Sequence, residues 1–433
     1  MTGERRSGRG ALTAVSVAVL TGVLAAGCAQ QPAASIAAAG HEQAVQMSTA
    51  RLAAAVGPSQ PAGTQLRLET LLSHHAVLTI NLMRARLRGD PDLAQAAVAA
   101  VSKNTDDMTA VIDSIAGHEL AMTFKDLWSR HVNQLFDYAR ALAANDPAGM
   151  DRDRADLAAY ERDIGSFIQT ATKTQVSAPA AQQALTAHVD DLLKQADAYA
   201  AKDYATSYAI ERHAYAHMFE VAKTLATGFF ATTTAGVAPL NAPRVRLQSA
   251  LGKLLGEHMA LAVDSMRAAA TKTPDFQAAG AALNGNTADL TAAMGVLFGQ
   301  PSATAFSGIW GDHVDALVSY GAAVAGQDAA GQDTATNRLT QFESRFADFL
   351  STGTEGRLTA PALRDAYVMH DRDLVGQMQA FARRDYTASN DTVFAAYQQM
   401  FDVAEQVSTA AGDTVAARLP QGGVATGGGG LVR

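Results

Sequence analysis

From residue 64 onward, apolar side chains return every three or four positions, the spacing of one helix face. Leu68, Leu71, Leu72, Leu78 and Leu82 form the first such stripe. Pro91 suits the start of a second helix, because a proline is tolerated only in the first turn. A third stripe holds Phe124, Leu127, Trp128, Leu135 and Tyr138, and a fourth, after Pro147, holds Leu157, Tyr160, Ile164 and Phe167. Ser177 and Pro179 give a cap-and-start signal for a fifth helix that runs to about Lys202. A sixth carries Tyr204, Tyr208, Tyr215, Phe219 and Leu225. A composition rich in Ala, Leu, Asp and Gln and poor in aromatics also favours helix over sheet, so the pattern predicts an all-α chain built as an antiparallel helical bundle.

The pattern occurs twice. Phe124-Lys-Asp-Leu-Trp128-Ser-Arg-His131 matches Phe306-Ser-Gly-Ile-Trp310-Gly-Asp-His313 at an offset of 182 residues. The same offset pairs Asn104 with Asn286, Asp107 with Asp289, His188 with His370, Tyr215 with Tyr397 and Met218 with Met400. Upstream of Asn104 the offset is 183, pairing His75 with His258, Met83 with Met266 and Pro91 with Pro274. A repeat on this scale is expected to mark two tandem, duplicated bundle domains, at 64–232 and 246–418, joined by a linker over 233–245. The tail from 419 to 433 is rich in glycine and is expected to be disordered.

Outside the repeats the pattern changes. Arg5, Arg6 and Arg9 precede an uncharged run of small and apolar residues from Ala11 to Gly27, which ends at Leu24-Ala-Ala-Gly-Cys28. A basic start, a short apolar run and a small-residue end form an export signal. The run is shorter than the roughly 20 residues of a membrane span. Cys28 is the chain's only cysteine, so lipidation at a lipobox explains it better than a disulfide. Residues 1–27 thus read as a lipoprotein signal peptide. Residues 28–63, dominated by Ala, Gln, Pro and Ser, read as a tether, with room for a short amphipathic helix at 41–56. The expected location is extracytoplasmic, on the membrane through a lipid on Cys28. The net charge is −8, and losing three Arg and one Glu with residues 1–27 leaves a mature chain at −10. So acidic a chain is a poor partner for nucleic acid.

Several polar residues occupy positions that the stripes reserve for apolar ones. His75, His131 and His188 each sit between leucines on the buried face of a different helix. Asn104 shares a face with Met108 and Val111, with Asp107 nearly one turn on. At about 1.5 Å per residue these positions, and Met218, lie roughly 15–23 Å from a bundle end, near mid-height. His258, His313, His370, Asn286, Asp289 and Met400 repeat the set, and the second repeat has no other histidine. Bundles build metal and cofactor sites by aiming side chains from facing helices at one level. Three neutral imidazoles suit a transition metal such as copper, zinc or iron. Asn104 and Asp107 would complete the shell or orient a ligand, and Met218 suits either a soft ion such as copper or core filling. The competing reading is a buried network in which each imidazole bonds to Asn, Asp, Gln195 or a tyrosine.

Leu254-Leu-Gly-Glu-His258-Met-Ala-Leu, Asn286-Thr-Ala-Asp289-Leu, Trp310-Gly-Asp-His313 and Tyr397-Gln-Gln-Met400-Phe resemble a family of exported bacterial helical lipoproteins with tandem His-containing bundle domains. Some members of that family carry a copper-amine-oxidase-like label. Copper amine oxidases make a quinone from the tyrosine of an Asn-Tyr pair, and this chain has no such pair. The resemblance therefore implies extracytoplasmic metal binding at the matched positions and no quinone. Enzyme signatures are thin, with no Glu-x-x-His, no His-Glu-x-x-His and no glycine-rich phosphate loop. The leading expectation is a lipid-anchored protein that binds, stores or senses a metal or cofactor. The alternatives are a structural or interaction module of the cell envelope and a redox enzyme.

Overall fold

The computed structural model describes residues 60–418. Among them the chain is all-α, as the periodicity predicts, with no strand. Its helices are α1 (Pro61–Leu87), α2 (Pro91–Ala116), α3 (His118–Ala143), α4 (Pro147–Ala171), α5 (Ala178–Ala200), α6 (Tyr204–Phe230), α7 (Pro243–Thr271), α8 (Phe276–Phe298), α9 (Gln300–Ala325), α10 (Ala329–Gly353), α11 (Ala360–Ala382) and α12 (Tyr386–Arg418). A 3-10 turn, Ala238–Asn241, lies between α6 and α7. The expected tether extends as far as residue 63, yet α1 begins at Pro61. The signal peptide, Cys28, the helix expected at 41–56 and the glycine-rich tail lie outside the described residues.

Local chemistry sets the helix starts. Asp90, Asp146, Asp203 and Asp328 each accept a hydrogen bond from a backbone N–H of the first turn, at 3.1, 3.1, 3.2 and 2.9 Å. Such caps satisfy donors that the helix itself leaves open. Pro91 and Pro147 follow their caps directly, where a missing N–H costs nothing. A single residue joins α2 to α3 and α8 to α9. Gly117 and Gly299 make these turns at φ of 90° and 91°, a conformation that a Cβ would strain.

In the first bundle α1 packs against α2, α3, α5 and α6, while α3–α4, α4–α5 and α5–α6 close the wall. The second bundle repeats this order, with α7 packed on α8, α9, α11 and α12. The bundles join where α2 meets α12, α6 meets α8, and α1 meets α7. Apolar packing continues through that join, since Val77, Tyr208, Tyr215 and Phe219 share a core with α7 and α12. As a result α1 is buried nearly all round, with Thr64, Gln65, Glu69, Ser73 and Arg84 covered as well as its leucines. Polar groups line the seam. Ser73 Oγ lies 2.7 Å from the Tyr397 hydroxyl, which donates to the Tyr215 hydroxyl at 3.2 Å.

Candidate metal centres

Each bundle brings three histidines together. His75 on α1, His131 on α3 and His188 on α5 are all 0 % exposed, as are His258 on α7, His313 on α9 and His370 on α11. Within each trio, one ring nitrogen per residue lies within 4.8 Å of the other two. Their ring centres are 5.2, 5.5 and 6.3 Å apart in the first bundle. In the second they are 5.4, 5.7 and 5.9 Å apart. Each ring follows from its helix: the leucine stripes turn one face of α1, α3 and α5 inward, and the histidines stand on it.

A metal fits this spacing. With metal–nitrogen bonds of about 2.0–2.1 Å and tetrahedral angles, ring centres would stand about 5 Å apart. The second trio stands within about 1 Å of that spacing, whereas His131 and His188 in the first, at 6.3 Å, have further to close. Three ligands leave a fourth position open. Protonation does not compete, because burial holds every one of these imidazoles neutral. It pulls His131 down to about 3 and His370 to about 4. His75, His188, His258 and His313 are likewise well below the usual range through burial, with repulsion from neighbouring histidines adding to it.

Hydrogen bonding differs between the trios. In the first, Trp128 Nε1–H donates to His75 Nδ1 at 3.3 Å. That places the His75 proton on Nε2, 3.2 Å from His131 Nε2. The remaining three nitrogens, His131 Nδ1 and both of His188, have no hydrogen-bond partner. None of the six nitrogens in the second trio has one, and Trp310 Nε1 is unpartnered too. Asp371 stands beside the trio, with Oδ1 3.5 Å from His313 Nδ1. Burial, then Glu343, pushes the Asp371 carboxyl well above its ordinary range, so it holds its proton beside these imidazoles. The walls also differ. Tyr160 stacks on His131 at 4.6 Å, and Phe342, 182 residues on, stacks on His313 at 4.1 Å.

The other expected ligands fare unevenly. Asn104 is fully buried, but its Nδ2 donates to the Leu71 carbonyl at 3.0 Å. Asn286 does the same to Leu254 at 2.9 Å and also donates to Glu257. Each amide thus braces the turn of helix that precedes a site histidine. Asp107 and Asp289 do not join the trios. Asp107 pairs with Lys103 at 3.2 Å near the surface, and Asp289 is exposed and pairs with Arg212 at 2.7 Å. A carboxylate three residues from the asparagine lies at the flank of the stripe, where water and a cation stabilise it better than the core does. Met218 and Met400 are fully buried within the apolar cores. His213 pairs with Asp191 at 2.8 Å, and His217 lies 2.9 Å from the Ala184 carbonyl, so neither adds to a trio.

Asp371 escaped the sequence reading. The repeat carried a signal for it: the position 182 residues earlier is Val189, so an acid stands where the first bundle keeps a core valine. Comparison with known proteins adds no relative, since no family model, curated protein or solved structure matches the chain.

Proposed function

We propose that the chain is a lipid-anchored extracytoplasmic protein that binds one transition-metal ion in each bundle through His75, His131 and His188, and through His258, His313 and His370. The observation that carries this reading is the set of fully buried imidazole nitrogens that lack any partner. Leaving a buried polar group unpaired costs about 1–3 kcal/mol, so a fold that does so repeatedly, at one level and on facing helices, gains from an ion that takes one nitrogen of each ring. Copper, zinc and iron all accept this donor set. Full burial makes exchange depend on opening of the bundle, which suits retention or storage better than rapid transfer.

One observation favours a purely hydrogen-bonded core, and it concerns the first bundle alone. The Trp128–His75–His131 chain already satisfies three nitrogens. A metal there must break that chain, either by taking the His75 Nδ1 lone pair from Trp128 or by moving the His75 proton from Nε2 to Nδ1, whereas the nitrogens of the second site make no hydrogen bond that a metal would have to break. The second site should therefore bind more tightly. Elemental analysis of untagged full-length protein should approach two ions per chain. His313→Ala should remove the tighter one and His131→Ala the weaker, and added metal should raise the wild-type Tm. A wild-type chain that holds no metal after dialysis, with neither variant differing from it, would leave the hydrogen-bonded core as the answer.

The anchor rests on the sequence alone, on Arg5, Arg6 and Arg9, the apolar run and Cys28. Labelled palmitate should enter the wild-type chain in a bacterial host and not Cys28→Ser, which should leave the membrane fraction. Equal incorporation into both would end the lipoprotein assignment.

A further inference from the structure

A second chemistry sits at the join between the bundles, away from the histidine trios. Arg84 and Arg267 are related by the repeat offset of 183. Their surroundings match at first. Arg84 donates to Ser207 Oγ at 3.1 Å, and Arg267 donates to Ser389 Oγ at 2.7 Å. Each serine in turn donates to a glutamine carbonyl, Gln195 at 3.0 Å and Gln377 at 2.9 Å. The match ends at the counter-charge. Arg84 forms ion pairs with Glu211 at 2.7 Å and Asp264 at 3.3 Å. The residue 182 positions after Glu211 is Val393. Arg267 has the neutral oxygens of Gln377, Ser389 and Asn390 as hydrogen-bond partners and lies over the Phe381 ring at 4.8 Å; Asp264 attracts it from beyond ion-pair distance, and among the described residues it forms no ion pair.

That guanidinium lines a cavity of about 240 Å³ between α1, α2, α7, α11 and α12. Val77, Leu78, Leu93 and Phe381 supply apolar wall. His74, 1 % exposed, also lines it, and neither of its ring nitrogens has a hydrogen-bond partner. The repeat offsets again mark a divergence. His74 and Phe394 stand where Glu257 and Arg212 form an ion pair on the other side of the join, at 3.0 Å. One side of the join is closed by its own charges. The other has no such pair at the matching positions and holds an arginine with no ion pair of its own, an imidazole with no hydrogen-bond partner that stacks on Tyr397 at 4.1 Å, and open space.

We infer that this cavity binds a small amphipathic monocarboxylate, with its carboxylate on Arg267 and its apolar body against the α1–α2–α11 wall. An apolar cavity of 150 Å³ holds one benzene ring, so about 240 Å³ takes a ring or short acyl chain together with a carboxylate. The charge is limited to one because Asp264 and Asp90 line the same cavity and repel a dianion. Arg88, a further cation on that lining, adds attraction although it faces Asp275 at 3.8 Å.

Phenylacetate and octanoate are the probes, titrated calorimetrically into the full chain, with their neutral amides as controls. The acids should bind saturably and the amides about tenfold more weakly or worse, as loss of a charged hydrogen bond implies. Two variants localise the effect. Arg267→Gln removes the cation. Val393→Glu installs the carboxylate that Glu211 supplies to Arg84, and should occupy Arg267 from within. Both should weaken acid binding about tenfold or more, with metal content and helicity unchanged. Amides that match the acids, acids that fail to bind in the millimolar range, or folded variants that bind like wild type would each overturn the inference. The metal content, read on the same samples, keeps its outcome separate from that of the metal proposal.

Discussion

In metal-free protein, replacing His131 and His370 together by leucine flattens the acid side of the stability profile. Folded, these imidazoles take up protons only near 3 and 4, because burial penalises their charged form. Unfolded, they do so near 6.5. Between those values the unfolded chain holds more protons, so stability is present above about 6.5 and is lost as pH falls toward the folded values. Each histidine contributes up to about 1.4 kcal/mol per pH unit across that window. The pair together therefore accounts for several kcal/mol by pH 4.5. Glu69 and Glu211 act in the opposite direction, since burial raises both to about 7. They are common to both chains and cancel in the difference. Urea denaturation at steps from pH 7 to 4.5 measures it, and the wild type should lose stability relative to the variant at each step toward acid. Parallel profiles would mean that the folded core already accepts protons at these rings, and that the interior is wetter than the burial implies.

Where the sequence could and could not be read has a physical pattern. The six site histidines were legible because each interrupts an apolar stripe at a similar height, and a helix face is fixed by its 3.6-residue period. Helix starts were legible because Pro91, Pro147 and Ser177 act locally. Asp107 and Asp289 misled because spacing along one helix does not fix which flank is solvated. Arg84 was missed for a deeper reason. Periodicity identifies the face of α1 that meets its own bundle, but α7 covers the opposite face as well, and only the tertiary join reveals that. The stripe therefore assigns no face to Glu69, Ser73 and Arg84, and all three are buried. The same blindness hid the cavity, whose walls come from both repeats.

That join also sets the largest single-residue effect expected outside the trios. Arg84 is 1 % exposed and holds two buried carboxylates, Glu211 at 2.7 Å and Asp264 at 3.3 Å. It also lies over the Tyr208 ring at 4.1 Å. Arg84→Ala strands both acids in the core, and removing one partner of a buried ionic group costs about 3–5 kcal/mol. Glu211→Gln should cost much less near neutral pH, because the arginine keeps Asp264 and the amide still fills the space. Its signature lies in the pH profile. Burial, against the pull of Arg84, raises Glu211 to about 7 from an ordinary value of 4.5. Its contribution is thus fully present below about 4.5 and is lost as pH rises through 7. Wild-type stability should accordingly fall relative to Glu211→Gln between about pH 4.5 and 7 and level off above that, with Glu69 common to both chains. Chemical denaturation of the three chains across that range distinguishes the terms. If Arg84→Ala costs no more than a surface substitution, or if Glu211→Gln tracks wild type at every pH, the buried ionic cluster does not hold the bundles together.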